Sequence, residues 1–139
     1  MKTTWKNIKD VKRAWHLVDA REFTLGRLSS RVAVVLAGKN KIDFTPNIDM
    51  GDYVVVVNAP QIKLTGRKLD QKEYTRYSGF PGGISRTSLK NKLQDRPETV
   101  IQHAVAGMLP KSKLRKFMLR RLKVFKDDKH NFKIDKKIK

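Results

Sequence analysis

The sequence predicts the α/β fold class: a single three-layer domain with a mainly parallel central sheet flanked by helices, carrying a basic loop, a basic C-terminal helix and a tail. Three observations support this class. Tyr53–Val57 is a β-branched run without polar alternation, which indicates an interior strand that is apolar on both faces. An amphipathic helical pattern from Leu25 to Leu36 precedes it, and a shorter strand pattern at Trp15–Asp19 comes before that. Strand, helix and strand in this order form a right-handed parallel crossover.

The length of 139 residues fits one domain with appended basic segments. We assign residues 1–13 to a basic N-terminal arm, 14–125 to the α/β domain and 126–139 to a lysine-rich tail. The tail holds six lysines and three aspartates with little apolar content. A segment of this composition buries little surface, so we expect it to become ordered only on binding a partner.

The elements of the first half have recognisable ends. Thr24 is placed to act as the N-cap of the helix, and Gly38 supplies a left-handed C-cap just past Ala37. The strand at Tyr53–Val57 ends at Asn58, at the edge where open parallel sheets usually present their ligand-binding loops. We therefore expect any nucleotide site to lie at Asn58.

The second half alternates weaker elements with irregular ones. Ile62–Thr65 and Glu73–Tyr77 are predicted strands. Residues 78–84 contain three glycines and one proline, so they form an irregular loop whose backbone amides can approach a partner closely. A helix then begins at Arg96-Pro97-Glu98, with an apolar stripe that extends to Met108.

The most unusual stretch is Lys111–Lys126, where eight of sixteen residues are Lys or Arg and none is acidic. Helical spacing places one group of cations on a single face: Lys113, Lys116, Arg120 and Lys123. Apolar residues fall on another face, so the pattern predicts a basic helix over about 111–125 that packs on the core and meets phosphates. The alternative for such a run is a solvated helix face.

The whole-chain charge favours the binding interpretation. There are 32 Lys and Arg against 13 Asp and Glu, which gives a net charge of +19 and a pI near 10.4. Self-repulsion of this size opposes compaction and indicates a persistent polyanionic partner. The sequence has no helix-turn-helix or zinc-finger pattern that would place a recognition helix in the major groove of duplex DNA. An irregular basic loop with a basic helix instead suits the irregular backbone of folded RNA. Composition alone leaves DNA open.

Other functions have no supporting pattern. The chain lacks cysteine, and its three histidines show no ligand spacing, so we expect no metal and no cofactor. No G-x-G-x-x-G, P-loop or G-x-S-x-G sequence occurs, so we expect neither catalysis nor a small-molecule substrate, although a nucleotide-dependent enzyme remains the alternative from another class. No apolar run could span a membrane, and attachment of the basic helix to a membrane surface is a weaker alternative. The N-terminus lacks a signal-peptide pattern, so we expect a cytoplasmic location.

Seven segments of the chain together form a recognisable pattern. They are Asp19-Ala20, Leu25–Ser29, Gly38–Asn40, Gly51–Ala59, Leu64–Gly66, Gly79–Gly83 and Gly107–Lys111. With these segments the sequence resembles a known family, the thirteenth protein of the large ribosomal subunit in its bacterial form. The match runs in register over roughly residues 12 to 126. The resemblance implies a compact α/β domain without catalytic activity that binds large-subunit (23S-type) ribosomal RNA, contacts neighbouring ribosomal proteins and supports subunit assembly and translation.

The resemblance and the charge pattern together give a set of candidate RNA-binding residues. These residues are Lys111, Lys113, Arg115, Lys116, Arg120, Arg121, Lys123, Arg76, Tyr77, Gly82, Gly83, Arg86, Arg27, Lys39 and Lys41. The chain departs from the family pattern at a few positions. The family commonly has histidine at Tyr77, glycine at Arg115 and a His-Pro-His ending where this chain has His130-Asn131-Phe132.

Overall fold

The computed structural model describes residues 7–138, so the first half of the predicted N-terminal arm lies outside the described residues. The β-strands are β1 (Trp15–Asp19), β2 (Tyr53–Val57), β3 (Glu73–Tyr77), β4 (Ile84–Ser88), β5 (Leu122–Val124) and β6 (Lys136–Lys137). The α-helices are α1 (Leu25–Ala37), α2 (Lys68–Gln71), α3 (Leu89–Asp95), α4 (Pro97–Met108) and α5 (Arg115–Arg120). Single 3-10 turns occur at Ile8–Asp10, Ala20–Glu22 and Ala59–Gln61.

The central sheet has four strands in the order β5-β2-β1-β6, and each neighbouring pair is parallel. In the central pair Trp15 lies opposite Tyr53, and Asp19 lies opposite Val57. The predicted α/β class and the predicted strand, helix, strand crossover are therefore confirmed. All the valines of β2 are buried, as a β-branched run without alternation indicates.

One face of the sheet packs against the helices. Val18, Val54 and Val56 belong to a single hydrophobic core with buried side chains of α1 and α4, such as Leu36 and Ile101. Helix α1 begins after Thr24 and ends at Gly38, whose φ of 82° is the left-handed C-cap predicted for it. Truncating a fully buried Leu such as Leu36 to Ala would cost about 2–5 kcal/mol, so this layer supplies much of the stability.

The opposite face carries an aromatic stack that holds the C-terminal tail. Trp15 stacks on Tyr53 with ring centroids 4.3 Å apart, and Phe132 stacks on Trp15 at 4.5 Å. The Asp135 carboxylate accepts a hydrogen bond from the Trp15 amide at 2.8 Å, and the Ile138 amide donates to Leu17 O at 2.9 Å. The expectation that the tail orders only on binding is therefore wrong for residues 126–138. A few apolar side chains and one free sheet edge suffice to dock it.

Two further sequence predictions need correction. The predicted strand at Ile62–Thr65 is absent, since Lys63 makes only an isolated bridge to Thr24 at the start of α1. The segment follows Pro60 and a 3-10 turn, and in the described part of the chain its only ladder contact is that single bridge. Met108, predicted to be buried, is 47% exposed at the end of α4.

Strands β3 and β4 form an antiparallel hairpin that is separate from the central sheet. The sequence predicted β3 and the loop but not β4. Within residues 7–138, no helix combines the length and the apolar character needed to cross a membrane.

Candidate nucleic-acid interface

The basic segment after Pro110 folds differently from the predicted helix of residues 111–125. Its helix α5 spans only Arg115–Arg120, and the chain then enters β5, which pairs with β2. The Val54 amide donates to Arg121 O at 3.2 Å, and the Phe125 amide donates to Val56 O at 2.8 Å. Pairing with the sheet satisfies these backbone groups and buries Leu122, so the tertiary contact overrides helical periodicity.

The shorter helix still gathers most of the predicted cations. Lys113, Lys116 and Arg120 line one open groove of about 600 Å³, together with Ser112, Arg115 and Leu119. We call this surface the basic groove. Lys111 and Lys123 are also exposed, the first in the turn before α5 and the second on β5. The turn before α5 and the short helix therefore bring Lys113, Lys116 and Arg120 onto one surface without the longer helix that the sequence predicted.

Arg121 does not belong to this surface. It is only 6% exposed, and its guanidinium forms a two-pronged ion pair with the Asp49 carboxylate. Its Nη2 also donates to Leu36 O at 3.1 Å, at the C-terminal end of α1. The structure therefore does not place Arg121 on the exposed candidate surface, because its guanidinium pairs inside the protein with a carboxylate 72 residues away in the sequence.

Arg115 is half-buried and performs a second internal role. Its Nη2 donates to the carbonyl oxygen of Ala106, which ties the start of α5 to the end of α4. Arg115 also lines the basic groove, but this hydrogen bond fixes its side chain toward the protein. Arg115 therefore positions the groove more than it offers a free charge.

The cations predicted around α1 fall into two groups. Arg27 and Lys39 are exposed. Lys41 is half-buried, and its Nζ donates to Met50 O and Lys12 O, both at 2.8 Å, beside a carboxylate. Lys41 therefore holds the connection before β2 and is removed from the candidate interface.

The carboxylate beside Lys41 belongs to Asp52, which is buried at the start of β2. Its Oδ1 lies 2.6 Å from Lys41 Nζ, and its Oδ2 lies 3.1 Å from His16 Nε2. Burial by itself raises the pKa of Asp52, but the hydrogen bonds from Lys41, the Ala14 amide and His16 outweigh it and hold the pKa below its ordinary value of 3.8. The charged carboxylate therefore stabilises the fold, by linking β1, β2 and the connection between them.

Sequence reasoning missed two cations near the start of α1. Lys63 and Lys68 line a cavity of about 240 Å³ together with Arg27, Thr24 and the backbone of the first helical turn. Their proximity depends on the hydrogen bonds between Lys63 and residues flanking Thr24. No local pattern could reveal this, since about forty residues separate the two segments.

The β3–β4 hairpin has one face against the body and one face outward. Tyr74 packs edge-on to His103 of α4 at 5.3 Å, and Lys92 Nζ lies 4.0 Å from its ring centre. Burial raises the pKa of Tyr74 above 10.0. Side chains alternate along a strand, so Tyr77 and its neighbours on the opposite face point away from the body. Arg86 lies on that outward face, diagonal to Tyr77.

The hairpin loop is a compact turn. The Gly83 amide donates to Phe80 O at 3.0 Å, and the Ser78 amide donates to Gly83 O at 3.0 Å. Gly82 has a φ of 71°, which favours glycine, and a Cβ on Gly83 would lie 1.9 Å from Ser78 Oγ. The predicted loop residues Gly82 and Gly83 therefore shape the turn, while Arg76 remains exposed on β3 beside it.

The sheet edge at Asn58, where a nucleotide would be expected, is filled by the chain's own polar groups. Asn58 is 4% exposed and adopts a left-handed conformation with φ of 57°. Its amide Nδ2 donates to Asp19 Oδ1 at 3.2 Å, and its Oδ1 accepts from Arg21 Nη2 at 3.2 Å. These contacts occupy both polar atoms of the buried Asn58 side chain within the protein.

Fold and surface together define a class: a strongly basic α/β protein whose candidate sites are exposed cationic surfaces. Within residues 7–138 the acids Asp49 and Asp52 are engaged internally, while the basic groove and the outward hairpin face carry exposed cations.

Comparison with known proteins identifies the family. The model of the family Ribosomal protein L13 matches residues 13–131, so the chain belongs to this family, which is not a family of enzymes. It is 52% identical over 130 residues to the large ribosomal subunit protein uL13 of Pelobacter propionicus, covering 94% of this chain and 92% of that protein. It is 52% identical over 122 residues to uL13 of Thermus thermophilus (88% and 87%) and 54% identical over 121 residues to uL13 of Clostridioides difficile (87% and 85%). The resemblance stated from the sequence is confirmed.

Proposed function

We propose that this protein is a structural constituent of the large ribosomal subunit that binds large-subunit (23S-type) ribosomal RNA and supports subunit assembly and translation in the cytoplasm. The observation that carries the proposal is the basic groove, in which Lys113, Lys116 and Arg120 share one open surface on a member of this family. Neighbouring large-subunit proteins are further partners in this proposal.

The interface combines the basic groove with two other exposed surfaces. Lys111, in the turn before α5, and Lys123, on β5, are exposed cations that flank the groove residues in the sequence. The hairpin adds the exposed residues Arg76, Tyr77 and Arg86, with Gly82 and Gly83 shaping its loop. Arg27 and Lys39 contribute from α1 and the turn after it. The Lys and Arg residues among these positions carry charge on exposed side chains, where phosphates can replace condensed counterions.

Binding of this kind depends steeply on salt, and this dependence provides the test. Replacing Lys113, Lys116, Arg120 and Lys123 by Gln removes four charges from exposed side chains. If each contacts a phosphate, the slope of log K against log salt falls by about 3 in magnitude. Filter binding to purified bacterial large-subunit RNA at several salt concentrations measures this slope.

A matched control separates local contact from total charge. Replacing Lys129, Lys133, Lys136 and Lys137 by Gln removes the same number of exposed charges from the tail. We expect a smaller change in slope for the tail variant. Equal changes would mean that net charge alone attracts the RNA, and an unchanged affinity of the groove variant would exclude the groove from the interface. Competition by duplex DNA as strong as by ribosomal RNA would favour a DNA-binding protein instead.

A further inference from the structure

The outward face of the hairpin carries apolar side chains that phosphate binding does not explain. Tyr77 is 63% exposed, Phe80 is 74% exposed and Ile84 is 58% exposed. Tyr77 and Ile84 lie directly opposite each other in the β3–β4 register, so their side chains share one face. Phe80 lies at the tip of the same hairpin. These three residues form what we call the hairpin tip.

The hairpin tip is held in place by the rest of the hairpin. The inner face docks through Tyr74 against His103, and the Leu89 amide donates to Lys72 O at 2.8 Å, next to the base of the two strands. At the loop, the hydrogen bond from the Gly83 amide to Phe80 O closes a turn around Pro81. The exposed rings therefore project from a fixed scaffold, which lowers the entropy lost when a partner binds them.

Charge around the hairpin tip specifies the kind of partner. From Tyr74 to Gln94 there is no acidic residue, while Arg76, Arg86, Lys90 and Lys92 are basic. Glu73 shares the outward face, but it lies at the base of the hairpin opposite Ser88, at the far end of β3 from Tyr77. Arg86 lies on the same outward face, diagonal to Tyr77 across the two strands. A flat ring beside a cation, at the end of the hairpin away from Glu73, matches a nucleotide, whose base stacks on the ring while its phosphate meets the cation. A protein surface would need an acidic or apolar patch to match, whereas every RNA nucleotide carries both a base and a phosphate.

We propose that the hairpin tip binds unpaired nucleotides of the ribosomal RNA by stacking bases on Tyr77 and Phe80, with Arg86 contacting an adjacent phosphate. This inference rests on the proposed function and adds the class of RNA element that the hairpin recognises. Bases in a regular RNA helix are covered by their neighbours, so the hairpin tip selects a loop, bulge or splayed base.

Conservative substitutions separate stacking from charge. Tyr77→Leu and Phe80→Leu keep apolar bulk but remove the ring faces, whereas Tyr77→Phe keeps the ring. We expect each Leu variant to bind purified bacterial large-subunit RNA about five- to a hundredfold more weakly, with an unchanged salt slope, and Tyr77→Phe to bind like the wild type. Arg86→Gln lowers the magnitude of the salt slope by just under one. Ile42→Ala, at a fully exposed apolar side chain elsewhere, is the control and leaves both quantities unchanged.

Chemical probing of unpaired bases with dimethyl sulfate gives a second readout. We expect the wild-type protein to protect particular unpaired adenines or cytosines, and the Leu variants to lose that protection while protections elsewhere persist. If the wild type binds with a steep salt slope but the Leu variants match it in affinity and protection, stacking is refuted and the proposed function stands. If the wild type itself fails to bind the RNA at low salt, the proposed function fails. If the Leu variants bind free RNA normally but join protein-containing large subunits poorly, the hairpin tip contacts a protein.

Discussion

Replacing Arg121 by Gln tests whether the charge of this residue stabilises the fold or binds RNA. The variant keeps a hydrogen-bonding group but removes the two-pronged partner of the Asp49 carboxylate, whose side chain is only 13% exposed. The remaining cation, Arg13, lies 3.8 Å away and makes no hydrogen bond to the carboxylate. It also removes the donor to Leu36 O. Removing one partner from a buried ion pair typically costs about 3–5 kcal/mol, since the remaining charge stays desolvated.

This cost is large for a domain of 139 residues, whose total stability is expected to be on the order of 5–15 kcal/mol. At roughly 3 °C per kcal/mol, the midpoint of thermal unfolding should fall by about 10–15 °C. Urea titration followed by circular dichroism gives the same difference as a shift in midpoint at constant slope. The affinity of the folded fraction for ribosomal RNA should stay close to that of the wild type.

Arg120→Gln is the matched control, one residue away and on the exposed side of α5. It should change stability by less than about 0.5 kcal/mol while weakening RNA binding. The reasoning would be refuted if Arg121→Gln unfolded within 1 kcal/mol of the wild type and lost RNA affinity as Arg120→Gln does. A double variant, Asp49→Leu with Arg121→Met, removes both charges and should recover much of the lost stability.

Three further perturbations test other parts of the structure. Asp52→Asn should destabilise the protein at neutral pH, and the difference in stability from the wild type should shrink as pH falls below 3.8. The lowered pKa of Asp52 gives stability that is present above 3.8 and is lost as the folded-state carboxylate is protonated. Acid unfolding curves of both proteins measure this difference. Phe132→Leu should weaken docking of the tail, because it removes ring stacking worth about 0.5–1.5 kcal/mol. The rate of tryptic cleavage within residues 129–137 should then rise by about two- to tenfold. Asn131→Ala, at the exposed neighbouring position, is the control and should leave the cleavage rate unchanged. Gly51→Ala should lower the unfolding midpoint sharply, since its Cβ would lie 1.7 Å from Leu36 O; an unchanged midpoint would contradict this packing.

The elements that could be predicted from sequence are those whose signal is local. The unbroken run in β2, the apolar spacing of α1 and the glycine that ends it each specify their structure within a few residues. Strands β4 and β5 carry no comparable signal, since Ile84–Ser88 is almost wholly polar and Leu122–Val124 has only three residues inside a basic run. Each becomes a strand because a partner strand lies beside it, at Tyr77 and at Val54 respectively.

The same distinction applies to the candidate interface. Cation density identified Lys113, Lys116 and Arg120 as members of one surface, and the structure brings them together although Lys113 lies in the turn before α5. It could not distinguish Arg121 or Lys41 from them. Their partners are Asp49, which is 72 residues from Arg121, and Asp52, and only the folded chain brings these groups together.

The internal ion pairs also sharpen the charge argument. Asp49 and Asp52 are among 13 acidic residues, and both are held inside the protein by cations that are likewise withdrawn from the surface. Each buried pair is neutral, so the surplus of +19 is carried entirely by the remaining groups, most of them exposed. Burial of these pairs therefore leaves the net charge on the rest of the molecule unchanged. The fold separates the cations that hold the connection before β2 from exposed cations, such as those of the basic groove, that are free to exchange counterions for phosphates.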